Sequence, residues 1–133
     1  MKEAYVAGII DGEGTITLSR QRANEFKCPV VSVSSTTIEF LEYLKLHYGG
    51  CISKQKIYKE HHKQSWSWKV ERSACYKILN DIKPYLLCPE KKYRCELILN
   101  TYQLVTPRNG RYTKEMLALK ENFEYQFFHP STS

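Results

Sequence analysis

The sequence predicts an α+β domain of element order αββαββα with further helices after it. Its centre is a four-stranded antiparallel sheet, and its helices lie on one face of that sheet. Three observations carry this. The hydrophobic period changes from helical to two directly after residue 14, and again after Gly49-Gly50. Each period-two stretch comes as two short runs with a polar connection, the pattern of a hairpin. The length, 133 residues with 42% apolar content, suits one domain with a real core and leaves little room for two.

Taken in order, the first helix covers about residues 2–11. Ile16 and Leu18 then fall on one strand face, and Thr15, Thr17, Ser19 and Gln21 on the other. Residues 23–27 form a polar connection, and Val31-Ser-Val33-Ser alternates again, closing the first hairpin. Thr36-Thr-Ile-Glu39 matches a capping box and starts the second helix, with Ile38, Leu41 and Leu44 facing inward. Gly49-Gly50 ends it.

The second hairpin has strands at about 51–58 and 65–70, joined by the charged loop 59–64. Trp66, Trp68 and Val70 share one face, Ser65, Ser67 and Lys69 the other. Alternation alone accounts for both tryptophans, which assigns them to the core rather than to stacking on bases. Ser73 begins a third helix that stops before Pro84, and Pro89 opens a fourth over about 90–105. A turn-rich break at 106–111 precedes a last helix over about 113–127, with Met116, Leu119, Phe123 and Phe127 at helical spacing. Residues 129–133 read as a tail, so residues 1–133 form a single domain.

The formal charge of +6 calls for a partner, and nucleic acid is the commonest, because lysines and arginines release condensed counterions from phosphates. Five cysteines, at 28, 51, 75, 88 and 95, show no zinc-knuckle or redox spacing. Cys88 and Cys95, seven apart, suit buried thiols on one helix face, and the set as a whole suits a reducing compartment. His61 and His62 are adjacent and point apart, which suits a solvated loop better than a shared metal. No stretch approaches the roughly 18 apolar residues of a membrane span. A helix from the second residue leaves no place for a leader, so the expected location is intracellular, in the compartment of synthesis.

The exposed sheet face should carry Thr17, Ser19, Gln21, Ser32, Ser53, Gln55, Ser65, Ser67 and Lys69. Short hydroxyls and amides can meet base edges in a major groove. Flanking Arg20, Arg22, Lys27, Lys54 and Lys56 could hold phosphates. Such residues are otherwise ordinary solvated strand residues; the net charge and the opening segment favour nucleic acid.

That segment, residues 5–14, reads Tyr-Val-Ala-Gly-Ile-Ile-Asp-Gly-Glu-Gly. An apolar helix ends in carboxylates beside its own last carbonyls, an oxygen-rich place that suits a hard divalent cation. Gly8 and Gly12, four apart, share a helix face. They admit either a partner helix at near backbone contact or a tight contact with the chain's own sheet.

The decapeptide closely resembles the signature of the LAGLIDADG homing endonucleases, with Val6 for the first leucine and Glu13 for the usual last aspartate. The element order extends the resemblance over nearly the whole chain, although only residues 5–14 are specific. It implies that the motif helices of two copies pack together through Ala7, Gly8, Ile9, Asp11 and Gly12. A single motif resembles the homodimeric branch, which acts on a pseudo-palindromic site in double-stranded DNA.

It further implies that Glu13, with the carbonyl of Gly12, binds magnesium (Mg2+) or another divalent cation such as manganese, and that Asp11 is structural. Lys91 matches the family's basic residue, with Lys92 as its neighbour. Ser35 stands where many relatives place a water-organising glutamine, with Ser34 and Thr37 as alternatives. The implied activity is a double-strand break that promotes copying of a mobile intron or intein. The rivals within the same fold are a maturase that binds its own intron RNA and a DNA-binding regulator without cleavage.

Overall fold

The computed structural model describes residues 2–20, 22–23, 25–57, 63–108 and 110–130. Its elements run α1 (Lys2–Glu13), β1 (Gly14–Ser19), β2 (Cys28–Ser35), α2 (Ile38–Tyr48), β3 (Cys51–Lys54), β4 (Trp66–Glu71), α3 (Cys75–Ile82), α4 (Pro89–Thr101) and α5 (Lys114–Phe128). The strands form one antiparallel sheet in the order β1-β2-β4-β3, so the two hairpins meet along β2 and β4. The expected αββαββα order and α+β class are those observed.

Register explains the two faces. Ile16 pairs with Val31, and Val31 with Val70; one rung on, Gly14 pairs with Val33, and Val33 with Trp68. These rungs face the helices and are buried. Against them pack Val6, Ala7 and Ile10 of α1, Leu41 and Leu44 of α2, Ile78, Leu79 and Ile82 of α3, Cys95 and Ile98 of α4, and Phe123 and Phe127 of α5. Apolar burial of this kind is the main force holding the layers together. Trp68 is fully buried and its indole Nε1 donates to the Gly49 carbonyl at 2.8 Å, while Trp66 packs half-buried beside it. Both tryptophans are therefore core residues.

Several boundaries differ from the sequence expectation. Helix α1 continues two residues further, to Glu13, because Gly12 offers helical space and the steric demand falls on Gly14. A Cβ on Gly14 would lie 2.7 Å from the Ile10 Cα, so only glycine lets β1 leave the helix at that angle. The capping box at α2 does not form: Thr37 is the N-cap without a side-chain bond, and the Ser35 hydroxyl instead accepts from the Thr37 amide at 3.0 Å. Gly49 and Gly50 end α2 with φ of 74° and 87°. At Gly50 a Cβ would collide with the Lys69 carbonyl.

Strand β3 stops at Lys54, residues 55–57 are not strand, and residues 58–62 lie outside the described residues, as do His61 and His62 with them. A 3-10 turn, Arg72–Ala74, precedes α3, and another, Tyr102–Val105, replaces the expected last turn of α4. Cys88 is the N-cap of α4 rather than a residue on its face. In α5 the inward positions are Lys120, Phe123 and Phe127, and Leu119 is 53% exposed. Among the described residues, no helix is long and apolar enough to cross a membrane.

Candidate functional site

The end of α1 is built by a two-way exchange with the start of α4. The Asp11 carboxylate accepts from the amides of Leu87 and Cys88 at 2.9 and 3.1 Å, satisfying donors that a helix start leaves unpaired. In return the Lys91 ammonium donates to the Ile10 and Asp11 carbonyls at 2.7 and 2.8 Å, where α1 leaves acceptors open and its dipole is negative. The Asp11 carboxylate is therefore engaged by the start of α4. Lys91 is the half-buried lysine at this junction, and Lys92 is exposed.

Glu13 is the last residue of α1 and its side chain is exposed. It lines a polar cleft of about 420 Å³ together with Ser34, Ser35, Thr36, Thr37 and Ser65. The structure therefore brings Glu13 and Ser35 to one place, and adds Thr36 and Ser65, which the linear motif does not point to. A hydrogen-bonded chain runs along the rim. The Gln55 amide donates to the Ser34 hydroxyl at 3.2 Å and accepts from the Ser65 hydroxyl at 2.6 Å. Gln64 then donates to the carbonyls of Gln55 and Ser65 at 2.9 and 2.7 Å. A glutamine does approach the cleft, but from the end of β3 rather than from the end of β2. Alternation places Gln55 on the outer face with Ser53, and the rung Ser34–Ser67–Ser53 carries that face to the cleft.

The outer side of α1 adjoins the same carboxylate. Tyr5, Gly8, Ile9, Glu13 and Phe40 line a shallow apolar cleft of about 340 Å³. Gly8 and Gly12 are exposed, and a Cβ on either would meet nothing within 4 Å. This overturns the reading of a tight contact with the chain's own sheet and leaves that face open to a partner. Ala7 is a correction: it is fully buried on the inner side of α1 and is not part of the open face, because helical spacing turns it toward the core.

The outer sheet face carries the rungs Thr15–Ser32–Lys69 and Ser34–Ser67–Ser53, with Thr17 and Ser19 beyond. Thr15 and Ser34 extend the row by the same alternation. Glu71 also stands on this face, opposite Val30, and takes Lys69 at 2.8 Å. That bond holds the Lys69 pKa above the usual ammonium value. Among the flanking cations Arg20, Arg22 and Lys56 are exposed, and Lys54 ends β3 at an exposed edge. Lys27 departs from expectation. It is half-buried, its ammonium 4.4 Å from the centre of the Phe128 ring, so a cation–π contact already occupies it. Gln21 lies outside the described residues.

Among the described residues, no three histidine, cysteine or acidic side chains cluster as metal ligands. One chain brings a single exposed carboxylate, Glu13, to the end of α1, where Lys91 already takes the Ile10 and Asp11 carbonyls. That donor set fits a hard cation that keeps several sites for water or phosphate oxygens, and it does not fit a closed structural site.

No protein-family model and no curated protein matches the chain. Solved structures do. The homing endonuclease I-CvuI, in complex with its target in the presence of 2 mM Ca, is 17% identical, with a TM-score of 0.73 over 99% of this chain and 83% of that one. The homing endonuclease I-TnaI is 19% identical, with a TM-score of 0.67 over 98% and 90%. The archaeal intron-encoded homing endonuclease I-Vdi141I, complexed with DNA, is 20% identical, with a TM-score of 0.63 over 99% and 85%. The chain thus has the LAGLIDADG homing endonuclease fold, over nearly its full length.

Proposed function

We propose that this chain is a DNA endonuclease that works as a homodimer, cutting both strands of a long, nearly palindromic site with magnesium or manganese. The observation that carries this reading is the position of Glu13. It sits where three surfaces converge: the uncovered glycine face of α1, the serine–threonine cleft, and the polar outer face of the sheet. A second copy packed on the Gly8–Gly12 face would bring a second Glu13, one for each strand. The same fold bound to DNA in I-CvuI and I-Vdi141I supports the choice of substrate.

On this reading Glu13 and the Gly12 carbonyl hold the cation. When bound, it neutralises charge on the phosphate and makes an attacking water more acidic. Lys91 fixes the α1 terminus and adds positive potential beside the phosphate. Ser35, Ser34 and Thr37 offer hydroxyls to the water at the cleft. Thr15, Thr17, Ser32, Ser34, Ser53 and Ser67 face the groove, while Arg20, Arg22, Lys54 and Lys56 meet phosphates. The gene would belong to a mobile intron or intein, and the protein would act where it is made.

The test joins the two DNA flanks of the reading frame into one duplex and incubates it with protein and magnesium. Cleavage of both strands by wild type, and binding without cleavage by Glu13→Gln, is the expected result. Binding that chelator leaves unchanged, with no cut even in magnesium or manganese, would replace the reading by a regulator. Tight binding of the unspliced intron RNA, with splicing that needs the protein, would replace it by a maturase.

A further inference from the structure

Among the described residues, one charged side chain is fully buried. Lys120 occupies an inward position of α5 and is 1% exposed. Its ammonium is 4.1 Å from the centre of the Tyr102 ring and 5.8, 5.9 and 6.0 Å from those of Phe26, Phe123 and Tyr112. The ammonium donates to the Thr106 hydroxyl at 2.6 Å, and that hydroxyl in turn donates to the Tyr102 carbonyl at 2.7 Å.

These contacts come from two different parts of the chain. Phe26 belongs to the connection between β1 and β2, the end of the hairpin that carries Arg20 and Arg22. Tyr102, Thr106, Tyr112 and Phe123 belong to the C-terminal segment. The two parts also meet directly: Phe26 packs on Tyr112 at 4.8 Å, the Lys27 amide donates to Glu124 at 3.3 Å, and the Lys27 ammonium lies 4.4 Å from the centre of the Phe128 ring. A cleft of about 470 Å³, lined by Glu25, Phe26, Cys28, Arg72, Tyr102, Gly110, Tyr112 and Lys120, separates them on one side.

We propose that Lys120 is a positioning residue for the β1–β2 hairpin, a latch that holds its loop end against α5 and so sets the pose of the DNA-facing cations. This rests on the DNA-binding reading above. The latch is adjustable because closing it takes an amine out of water. The groups around the amine are Glu25, Lys27 and Cys28 on the hairpin, Arg72 after β4, Tyr102 and Tyr112 in the C-terminal segment, and Glu124 on α5 itself. Burial outweighs the attraction of Glu124 and pushes the Lys120 ammonium down to about 8. In an opened latch the amine is hydrated and returns toward its ordinary value near 10.4. Closing then releases a proton between those values, so rising pH favours the closed form by up to roughly tenfold per pH unit in that window.

The experiment uses the full chain labelled with 4-fluorophenylalanine, the Phe26 resonance assigned by Phe26→Leu, and the duplex of joined flanks in chelator. Lys120→Met keeps the length of the side chain and removes its charge. In wild type, the open population reported by Phe26 falls as pH rises from about 8 to 10. The ratio of the wild-type Kd to the Lys120→Met Kd falls about threefold or more between pH 7 and 9. A purely structural lysine would leave that ratio constant with pH. If Lys120→Met does not fold, the wild-type fluorine titration decides alone. A Phe26 signal that does not respond to pH, or a constant ratio, overturns the proposal. A wild type that titrates at Phe26 and binds no duplex overturns the DNA reading, and with it the positioning role, while leaving the latch itself standing.

Discussion

Asp11 and Lys91 cap each other's helices: the carboxylate of one closes the start of α4, and the ammonium of the other closes the end of α1. Two amides at the start of α4 and two carbonyls at the end of α1 find their partners across the junction. The junction beside Glu13 is therefore held by charge-assisted bonds rather than by apolar contact.

Removing either partner should loosen this junction. Asp11→Ala leaves two amides uncapped and should cost about 1–2 kcal/mol, and Lys91→Met a similar amount. The double variant should cost less than the sum, because the two residues brace one junction. Urea unfolding of the four proteins measures the coupling, and strict additivity would count against a shared brace.

The open face of α1 separates folding from assembly. Gly8→Ala should raise monomer stability by roughly 0.5–1 kcal/mol, since it adds helix propensity and meets nothing in the chain. Gly8→Leu should leave the monomer folded and abolish the dimer. Analytical ultracentrifugation checks both, and a Gly8→Leu dimer as tight as wild type would remove this face from the interface.

Stability should depend on pH in two opposing steps. Lys120 has a depressed pKa, so the unfolded chain binds the extra proton between about 8 and its ordinary value, and stability rises with pH across that window. The full effect is as much as about 3 kcal/mol. Burial pushes the Cys75 and Cys95 thiols up to about 12, so their contribution is complete below their ordinary value and is lost above it. Wild-type stability should therefore climb above pH 8 and then turn over. Lys120→Met should be more stable at pH 7 and lack the climb, which thermal melts across the range will show.

Two kinds of substitution on the DNA side should have different signatures. Arg22→Ala should weaken binding to all sequences and reduce the salt slope by roughly one. Ser67→Ala, on the rung Ser34–Ser67–Ser53, should change the preferred base at one position with the salt slope unchanged. Binding measured on a panel of site variants at several salt concentrations distinguishes them. Equal losses on every site for Ser67→Ala would remove that rung from base reading.

Much of this was legible because it depends on period and short motifs. Alternation placed Trp68 inside and Ser67 outside, and the decapeptide marked the end of α1. What escaped depends on partners distant in sequence. Nothing in the sequence singles out Lys120; its burial depends on four aromatic rings, one from the β1–β2 connection and three from the C-terminal segment. The helix starts one residue later than the capping-box motif predicts, with Thr37 as N-cap, and the Thr37 amide donates to the Ser35 hydroxyl outside the motif. Gln55 approaches the cleft because pairing continues one residue past both strands, its backbone amide donating to the carbonyl of Ser65, which precedes β4, at 2.9 Å. The motif alone puts Ala7 in the interface, whereas its angle around the helix turns it into the core.

Gly14 has a consequence of a different sort. Its missing side chain lets β1 start against the Ile10 backbone, which fixes how far the Glu13 carboxylate stands from the first rung of the sheet. On the proposed reading, the carboxylate marks where the phosphate backbone is broken and the rungs mark which bases are recognised. One absent carbon then works as a ruler between cutting and reading. A residue that contacts neither base nor cation sets the offset between the sequence a molecule prefers and the bond it opens.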